Sequence, residues 1–441
     1  MHLTLQNELF DLPLPNDARG KTVIRQKARS GSFVDNMRLP VHRWFRYSAG
    51  FSAQWVAQQI AERIQHEPVQ VLDPFAGSAT TLVAADSSGV SSMGFESHPF
   101  VYRIARAKLL WHHNVEEFLQ CAELVLKRAG IAKEDPEAAP PPKLLLACYT
   151  PEALKKLDAL RTEYLRSFSP YGPSWELVWL ALTAILRPCS YVGTAQWQYI
   201  LPNRRKAGTI DPFLAFRNVV SRMAEDMRTV QRAGYISGAK ILLTDARSPE
   251  LDAAKQFDLV ITSPPYPNNY DYADATRLEM TFWREIESWG DLHQAVRRFI
   301  VRSCSQHSAA DKLTLDDLFA RPSILPILPA LQKVCGTLAT VRLEKGGKKT
   351  YHTMVAAYFA DLAEVWTSLR HLCKQGADVC FVVGDSAPYG VYVPVDQWLG
   401  ELALAAGFKS FSFEKLRDRN MKWKNRKHRV PLHEGRLWVK G

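Results

Sequence analysis

The order in which short apolar strands and helices alternate is the feature that most restricts how this chain can fold. VQVLDPFAGSATTLVAA (Val69–Ala85) reads as a strand, a tight loop of small residues and a helix that begins near Thr80. SSMGFE (Ser91–Glu96) predicts a second short strand, and the apolar spacing of HPFVYRIARAKLLW (His98–Trp111) predicts its helix. Because parallel strands need a crossover helix between them, this pattern predicts an α/β fold with a doubly wound, mostly parallel sheet.

Strand signals return only after a long interruption. From about residue 111 to residue 234 the sequence is mostly helical in character, broken by the proline-rich stretch EDPEAAPPPK. Three further strands are then predicted, in AKILLTDA (Ala239–Ala246), FDLVITSPPY (Phe257–Tyr266) and ADVCFVVGDS (Ala377–Ser386). An amphipathic helix before the last of these is expected to stop at Gly376. KSFSFEKL and GRLWVKG predict a C-terminal antiparallel hairpin.

We therefore divide the chain into six segments. They are an N-terminal arm (1–40), the first part of the core (41–110), a helical insertion (111–235), the second part of the core (236–284), a second insertion (285–349), and the C-terminal part of the core with a basic segment (350–441).

Composition limits the partners and the compartment. The formal net charge of +11 favours a polyanionic partner, and basic residues alternate with aromatic ones between Lys409 and Arg429, including Lys422, Lys424 and Arg426. A solvated positive face fits the charges equally well. The seven scattered cysteines form no CxxC pair, so we expect neither a disulfide framework nor a zinc site. No apolar run approaches membrane-spanning length and no signal peptide is recognisable, so we expect a cytoplasmic protein without a membrane partner.

Three acidic residues end successive predicted strands. Asp73 opens DPFAGSATT, Glu96 ends the second strand and Asp245 ends the third. The carboxyl ends of parallel strands meet at one rim, and a loop of small residues there lets the backbone approach a ligand closely. Neither a triphosphate-binding GxxxxGK[ST] nor a complete GxGxxG is present. The acids therefore indicate a ligand with a polar tail, a ribose and a base that carries an amino group.

The turn TSPPY ends the fourth predicted strand in an unusual way. Pro264 and Pro265 have no N–H donor, so the strand cannot continue in the interior of a sheet. The turn leaves the Ser263 hydroxyl, the Pro264 carbonyl and the Tyr266 ring without regular sheet partners.

Taken together, DPFAGSATT, GFE, LTDA and TSPPY resemble the S-adenosylmethionine-dependent methyltransferases that modify exocyclic amines of DNA bases. The resemblance implies a Rossmann-like methyltransferase sheet, S-adenosylmethionine as cofactor and double-stranded DNA as partner. TSPPY most resembles the cytosine-N4 branch, since the adenine-N6 branch more often has Asp or Asn at the position of Ser263. HRWFRYSAGFS (His42–Ser52) resembles an additional cofactor motif of the family, which singles out Phe51.

The resemblance also implies roles for the residues. Asp73, Phe75, Gly77 and Ser78 would line the methionine end of the cofactor, Glu96 would bind its ribose and Asp245 its adenine amino group. Ser263 and the Pro264 carbonyl, held by Pro265, would accept the hydrogens of the target amine, and Tyr266 would stack on a flipped base. Asn268 and Asn269 would contact the base or its neighbours, or else form a polar loop. The helical insertion would be the candidate target-recognition region, and a cognate restriction endonuclease is compatible with such an enzyme.

Two departures keep alternatives open. Ala79 stands where the family usually has Gly, so the loop must avoid a positive φ or accept strain. The small-residue loop also precedes TSPPY, whereas many cytosine-N4 enzymes have the opposite order. Adenine-N6 methylation, an RNA methyltransferase and a nucleic-acid-binding module with an inactive site therefore remain alternatives. Cys189 in RPCSY lies in a predicted helix, so we interpret it as a packed thiol and not as a nucleophile.

Overall fold

The computed structural model describes residues 33–47, 50–64, 69–132, 140–168, 172–194, 200–251, 256–268, 270–306, 312–347, 349–419 and 430–441. Most of the predicted N-terminal arm, residues 1–32, lies outside this set.

A seven-stranded sheet forms the centre of the molecule. The strands of the described residues are β1 (Val71–Asp73), β2 (Ser92–Phe95), β3 (Val192–Thr194), β4 (Ile200–Arg205), β5 (Ala239–Leu242), β6 (Phe257–Thr262), β7 (Cys373–Gly384), β8 (Ser410–Arg419) and β9 (Leu432–Lys440). The central sheet has the order β5-β2-β1-β6-β7-β9-β8, and β3 and β4 form a separate pair. The five strands β5, β2, β1, β6 and β7 are parallel to one another. Strand β9 is antiparallel to both of its neighbours, β7 and β8. The fold class predicted from the sequence is confirmed: a Rossmann-like, mostly parallel sheet with a C-terminal antiparallel hairpin.

Helices cover both faces of this sheet. They are α1 (Ala53–Ile64), α2 (Thr80–Ser87), α3 (Pro99–Lys108), α4 (Val115–Ile131), α5 (Lys143–Cys148), α6 (Pro151–Ser167), α7 (Pro173–Cys189), α8 (Pro212–Arg232), α9 (Tyr272–Ala275), α10 (Arg277–Phe282), α11 (Leu315–Phe319), α12 (Leu328–Glu344), α13 (Tyr351–Leu372) and α14 (Val395–Ala405). Successive strand residues pack in opposite directions: Val71 belongs to the apolar cluster of α1, and Leu72 to that of α13. Burial on both faces explains why the central strands are almost continuously apolar.

Helices α4 to α8 occupy the chain between α3 and β5. They pack around buried aromatic residues such as Tyr164 and Trp179, and the middle of α7 is buried on all sides. The short antiparallel pair β3–β4 interrupts this helical region between α7 and α8. The sequence analysis had not separated this pair from the surrounding helices.

The helix before β7 ends earlier than the sequence indicated. Helix α13 stops at Leu372, and β7 begins at Cys373. Gly376 has a φ of 78° and lies in a bulge of β7, between the pairs Phe257↔Cys373 and Leu259↔Asp378. The glycine was read as the end of the helix because both structures need a residue that tolerates positive φ.

One segment corrects the expectation about apolar runs. Pro322–Glu344, which contains α12, is long and apolar enough to span a membrane by length and composition alone. Core helices of water-soluble proteins meet the same criteria. In the structure its Leu331, Cys335 and Leu338 side chains are buried, on one side of the helix.

None of the seven cysteines, all of which lie among the described residues, forms a disulfide bond, and each except Cys121 is buried. Cys189 ends α7, and burial raises the pKa of its thiol to about 12. A thiol with such a pKa is almost fully protonated near neutral pH, which agrees with a packing role.

Candidate active site

A cleft opens at the carboxyl ends of β1, β2 and β6. Strand β1 lies between β2 and β6, so the loops after β1 and β6 leave the sheet where the strand order reverses. The cleft encloses about 660 Å³, part of it open to solvent. Its lining residues are Tyr47, Gly50, Phe51, Phe75, Ala76, Gly77, Ser78, Thr80, Glu96, Ser97, His98, Ser263, Pro265, Tyr272, Ile300 and Val301.

The loop after β1 turns tightly at two positions with positive φ. Gly77 has a φ of 52°, and a Cβ at this residue would lie 3.2 Å from Cε1 of Tyr47. Ala79 has a φ of 68° and a ψ of 34°, so the loop accepts a left-handed conformation at the position where the sequence raised this question. The Ala79 methyl group is fully buried in the core, which offsets part of that strain.

Glu96 is tied to this loop by its backbone contacts. Its Oε2 accepts the N–H of Gly77 at 2.8 Å, and its Oε1 accepts the N–H of His98 at 2.8 Å. Burial raises the pKa of Glu96 to about 7 despite these bonds. Each carboxylate oxygen has a second lone pair, so the group can still accept hydrogen bonds from hydroxyl groups of a ligand in the cleft.

Asp73 lies beneath the same loop and is not itself a lining residue. Its Oδ1 accepts the N–H of Phe75 at 3.1 Å and the hydroxyl of Thr262 at 2.6 Å. Burial raises the pKa of Asp73 to about 6. Through Thr262, this carboxylate joins the loop after β1 to the turn after β6.

That turn brings Ser263 and Pro265 into the wall of the cleft. The Ser263 hydroxyl donates to the carbonyl of Val382 in β7 at 3.2 Å. A hydroxyl has one donor and two acceptor positions, so Oγ of Ser263 keeps its acceptor capacity. Pro264 is buried next to it and, like Asp73, is not a lining residue.

Tyr266 lies at the edge of the turn, outside the lining set. The guanidinium carbon of Arg419 lies 5.2 Å from the centroid of its ring, which is a cation–π contact. Both side chains crowd Gly384, where a Cβ would come within 2.7 Å of Nη1 of Arg419 and 3.1 Å of Cε2 of Tyr266. Glycine at the end of β7 therefore makes room for this pair.

Other predicted residues are further from the cleft or lie outside the described residues. Asn268 has a φ of 58°, and its N–H donates to the carbonyl of Ser303 at 2.7 Å. Asn269, Lys422, Lys424 and Arg426 lie outside the described residues. The strands on either side of residues 420–429 belong to the described residues. Glu434 of β9 is the register partner of both Arg417 in β8 and Gly384 in β7, so β8 ends at the same rim as β7.

Asp245 is not among the residues that line the cleft. Its carboxylate accepts two bonds from the guanidinium of Arg247, at 2.8 Å and 2.5 Å. Arg247 also pairs at 3.2 Å with Asp361, a fully buried carboxylate that binds Arg302 as well. The sequence showed the acid at the rim but gave no sign that an arginine two residues later would hold it.

Three kinds of lining residue were not predicted from the sequence. Ile300 and Val301 come from the second insertion, which the motifs did not cover. Tyr272 lines the cleft and contacts the buried Tyr270 ring at a centroid distance of 4.4 Å, edge to face. Tyr47, by contrast, lies within the motif HRWFRYSAGFS but was not singled out there.

His98 is the third kind. The residue is 2% exposed, and its Nε2 lies 3.0 Å from the hydroxyl of Thr276. Its Nδ1 is buried without a hydrogen-bond partner on another described residue. Burial lowers the pKa of His98 to about 3, so the ring is neutral and can exchange hydrogen bonds with a ligand. The sequence signal was its position two residues after Glu96, directly before the helix.

Comparison with known proteins gives related chains but no matching family model. The chain is similar to the Type II methyltransferase M.BsoBI of Geobacillus stearothermophilus, with 26% identity over 427 residues that cover 88% of this chain and 82% of that protein. It is also similar to the Type II methyltransferases M.AvaI of Nostoc sp. and of Anabaena variabilis, each with 25% identity over 417 residues, 86% of this chain and 81% of those proteins.

Proposed function

We propose that this chain is a site-specific DNA methyltransferase that transfers a methyl group from S-adenosylmethionine to the exocyclic N4 amine of cytosine. One observation carries the proposal: the loop of Gly77 and the turn of Ser263 line a single cleft. The similarity to Type II methyltransferases over most of the chain supports the general activity. The preference for cytosine depends on Ser263, at the position where adenine-N6 enzymes more often have an acid or an amide.

The cleft fits the proposed cofactor in three respects. Gly77 leaves open the space that a side chain would fill against Tyr47. Glu96 faces the cleft with acceptor capacity for ribose hydroxyls, and His98 adds an unpaired ring nitrogen. When bound, S-adenosylmethionine supplies an electrophilic methyl group on a positively charged sulfur. The residues that would bind the cofactor are Phe51, Asp73, Phe75, Gly77, Ser78, Glu96 and, at the adenine amino group, Asp245.

Ser263 and Pro264 would act on the target amine. The lone pair of an exocyclic amine is delocalised into the base, so the nitrogen attacks poorly. Oγ of Ser263 donates its own hydrogen to Val382, which leaves lone pairs for the amine hydrogens. Together with the Pro264 carbonyl it would favour a pyramidal nitrogen that attacks in line. In such a transfer the N–C bond would form as the S–C bond of the methyl donor broke, and the nitrogen would release one proton to solvent. Holding this near-attack geometry can contribute several kcal/mol, roughly 7 at the lower end of well-oriented reactions.

A buried cleft can accept only a base that has left the duplex, so the proposal includes base flipping. Tyr266 would stack on the flipped base. Because Arg419 covers one face of its ring, the base would use the other face. Arg419 would also keep the ring at a fixed angle at the rim.

DNA would approach the carboxyl rim of the sheet. The net charge of +11 favours a polyanion. Asn268 lies in the turn itself, and β8 carries Arg417 and Arg419 to this rim. We propose that Asn268, Asn269, Lys422, Lys424 and Arg426 contact the nucleic acid, that the helical insertion recognises the target, and that the enzyme acts in the cytoplasm beside a cognate restriction endonuclease.

A methylation assay with labelled S-adenosylmethionine tests this function. Duplex DNA and RNA of the same sequence should be offered separately, and the nucleosides analysed by mass spectrometry. We expect label in DNA, as N4-methylcytosine. N6-methyladenine would overturn the base assignment, label in RNA alone would overturn the substrate, and no label in either would overturn the activity. Ser263→Ala is the matched variant, since it should bind the cofactor but transfer the methyl group far more slowly.

A further inference from the structure

The pair β3–β4, which we call the ribbon, has an irregular register. Thr194 pairs with Ile200 and Gly193 with Leu201, but Val192 pairs with Arg205. Three residues of β4, positions 202 to 204, therefore have no counterpart on β3. Residue 202 is a proline, which cannot donate to the ladder, so the strand bulges at this point.

The bulge presents two polar side chains to solvent. Asn203 and Arg204 are exposed and have no side-chain partner among the described residues. The residues that follow are fixed. Arg205 lies over the Tyr191 ring at 5.0 Å, and the Lys206 amine donates to the carbonyls of Arg187 and Pro188 at 2.6 Å and 3.1 Å. The bulge is therefore exposed, while the end of β4 beside it is anchored.

The anchor lies beside the cleft. Arg187 forms a buried ion pair with Glu279 at 2.5 Å and donates to the carbonyl of Ala275 at 2.6 Å. Ala275 ends α9, and Tyr272 at the start of that helix lines the cleft. One short helix thus separates the base of the ribbon from the wall of the site. A duplex whose target base entered the cleft would pass close to the ribbon.

We propose that the ribbon enters the major groove beside the target base and that Asn203 and Arg204 read base edges there. This inference rests on the proposed DNA methyltransferase function. A two-stranded ribbon fits the width of the major groove. Arginine can bind the O6 and N7 atoms of guanine with two hydrogen bonds, and asparagine can bind N6 and N7 of adenine. The exposed bulge carries the cation of Arg204, which is complementary to the negative charge of the groove and backbone.

Methylation of a randomised duplex library, followed by sequencing of the methylated molecules, tests the inference. The variants are Asn203→Ala and Arg204→Ala. The matched controls are Asn218→Ala and Arg217→Ala, an equally exposed pair on α8. We expect Arg204→Ala to relax preference at one base pair of the target by about tenfold or more. The controls should keep the wild-type sequence preference, and all four variants should keep wild-type cofactor affinity and thermal stability.

Two outcomes would overturn the inference. One is an unchanged sequence preference in both ribbon variants. The other is a uniform loss of DNA affinity across all sequences with a reduced salt dependence, because that behaviour identifies a phosphate contact. The wild-type arm separates the two proposals: if the wild-type enzyme methylates no duplex, the proposed function fails, and the ribbon assignment fails with it. If it methylates DNA but the ribbon variants behave as the controls do, only the ribbon assignment fails.

Discussion

The hydroxyl of Thr262 donates a hydrogen bond of 2.6 Å to Oδ1 of Asp73, so one buried carboxylate joins the ends of β6 and β1. The same oxygen accepts the N–H of Phe75 in the small-residue loop. Ser263 directly follows Thr262. The relative position of the loop and the turn, on which the proposed in-line transfer would depend, is therefore held by a contact beneath the cleft.

Replacing Thr262 with valine tests this contact. Thr262→Val keeps the shape but removes the donor, so a buried carboxylate loses one partner. We expect the free energy of unfolding to fall by about 1–3 kcal/mol. Cofactor affinity and turnover should fall together, since the hydrogen bond that fixes the loop relative to the turn is lost. Urea unfolding and kinetics measure these effects, with Thr337→Val on the exposed side of α12 as control. Wild-type stability and kinetics in Thr262→Val would contradict this account.

Ser263→Ala should separate binding from chemistry. Oγ of Ser263 is proposed to contact the target amine, and the residues proposed to bind the cofactor are different ones. We expect turnover to fall roughly 100-fold, the scale for losing one preorganised hydrogen-bonding group. The dissociation constant for S-adenosylmethionine should stay within a factor of two or so. Ser410→Ala on β8 is the control. Unchanged turnover would remove Ser263 from the mechanism.

Gly77→Ala should damage the cofactor site from the backbone. A Cβ here would lie 3.2 Å from Tyr47, and φ is 52°. We expect a loss of about 1–2 kcal/mol of stability, because an L side chain is disfavoured in this conformation. Cofactor affinity should fall further in Gly77→Ala than in Gly336→Ala, because a Cβ at residue 336 meets nothing within 4 Å. Calorimetric titration measures the affinity, and equal affinities in the two variants would speak against the proposed position of the cofactor.

Glu96 should make stability depend on pH. Its pKa is about 7 in the folded protein, against 4.5 for the ordinary side chain, so the folded state binds the proton more tightly. The stability that this proton contributes is complete below pH 4.5 and is lost as the pH rises towards 7. The difference in unfolding free energy between wild type and Glu96→Gln should change by up to roughly 3 kcal/mol across that window. Denaturant titrations at several pH values measure it, with the exposed Glu344→Gln as control. A constant difference would contradict the assignment.

Asp245→Ala should weaken S-adenosylmethionine binding if the carboxylate reaches the adenine amino group. A hydrogen bond to a charged group corresponds to about 1.5–3 kcal/mol, or a loss of roughly 10- to 100-fold in affinity. Glu364→Ala, which breaks the half-exposed pair with Arg321, is the control. If Asp245→Ala binds S-adenosylmethionine with the wild-type dissociation constant, Asp245 does not contact the cofactor and serves only to pair with Arg247.

The sequence predicted what depends on local pattern. Apolar runs bounded by glycine and proline indicated the strands of the sheet, and the rule that parallel strands end at one rim brought Glu96 and the loop of Gly77 together. The turn at Ser263 was recognisable because two prolines cannot lie inside a ladder.

Contacts between distant segments were not predictable in this way. Ile300 and Val301 reach the cleft from a segment with no periodic pattern, and only tertiary packing brings them there. Arg247 follows Asp245 by two residues, but it also forms an ion pair with Asp361, which is distant in the sequence. The ribbon was missed because β3 has three residues and β4 contains a proline, so neither has a clear strand pattern.

The pair Arg187–Glu279 has a consequence for protein engineering. Arg187 belongs to α7 and Glu279 to α10 after the turn; the Glu279 side chain is fully buried and that of Arg187 is 16% exposed. A chimaera that received a relative's segment 111–235 without a cation at the position of Arg187 would leave the Glu279 carboxylate buried and unpaired, at a cost of about 3–5 kcal/mol. An exchange of the proposed target-recognition region would therefore have to replace the stretch that holds Glu279 as well.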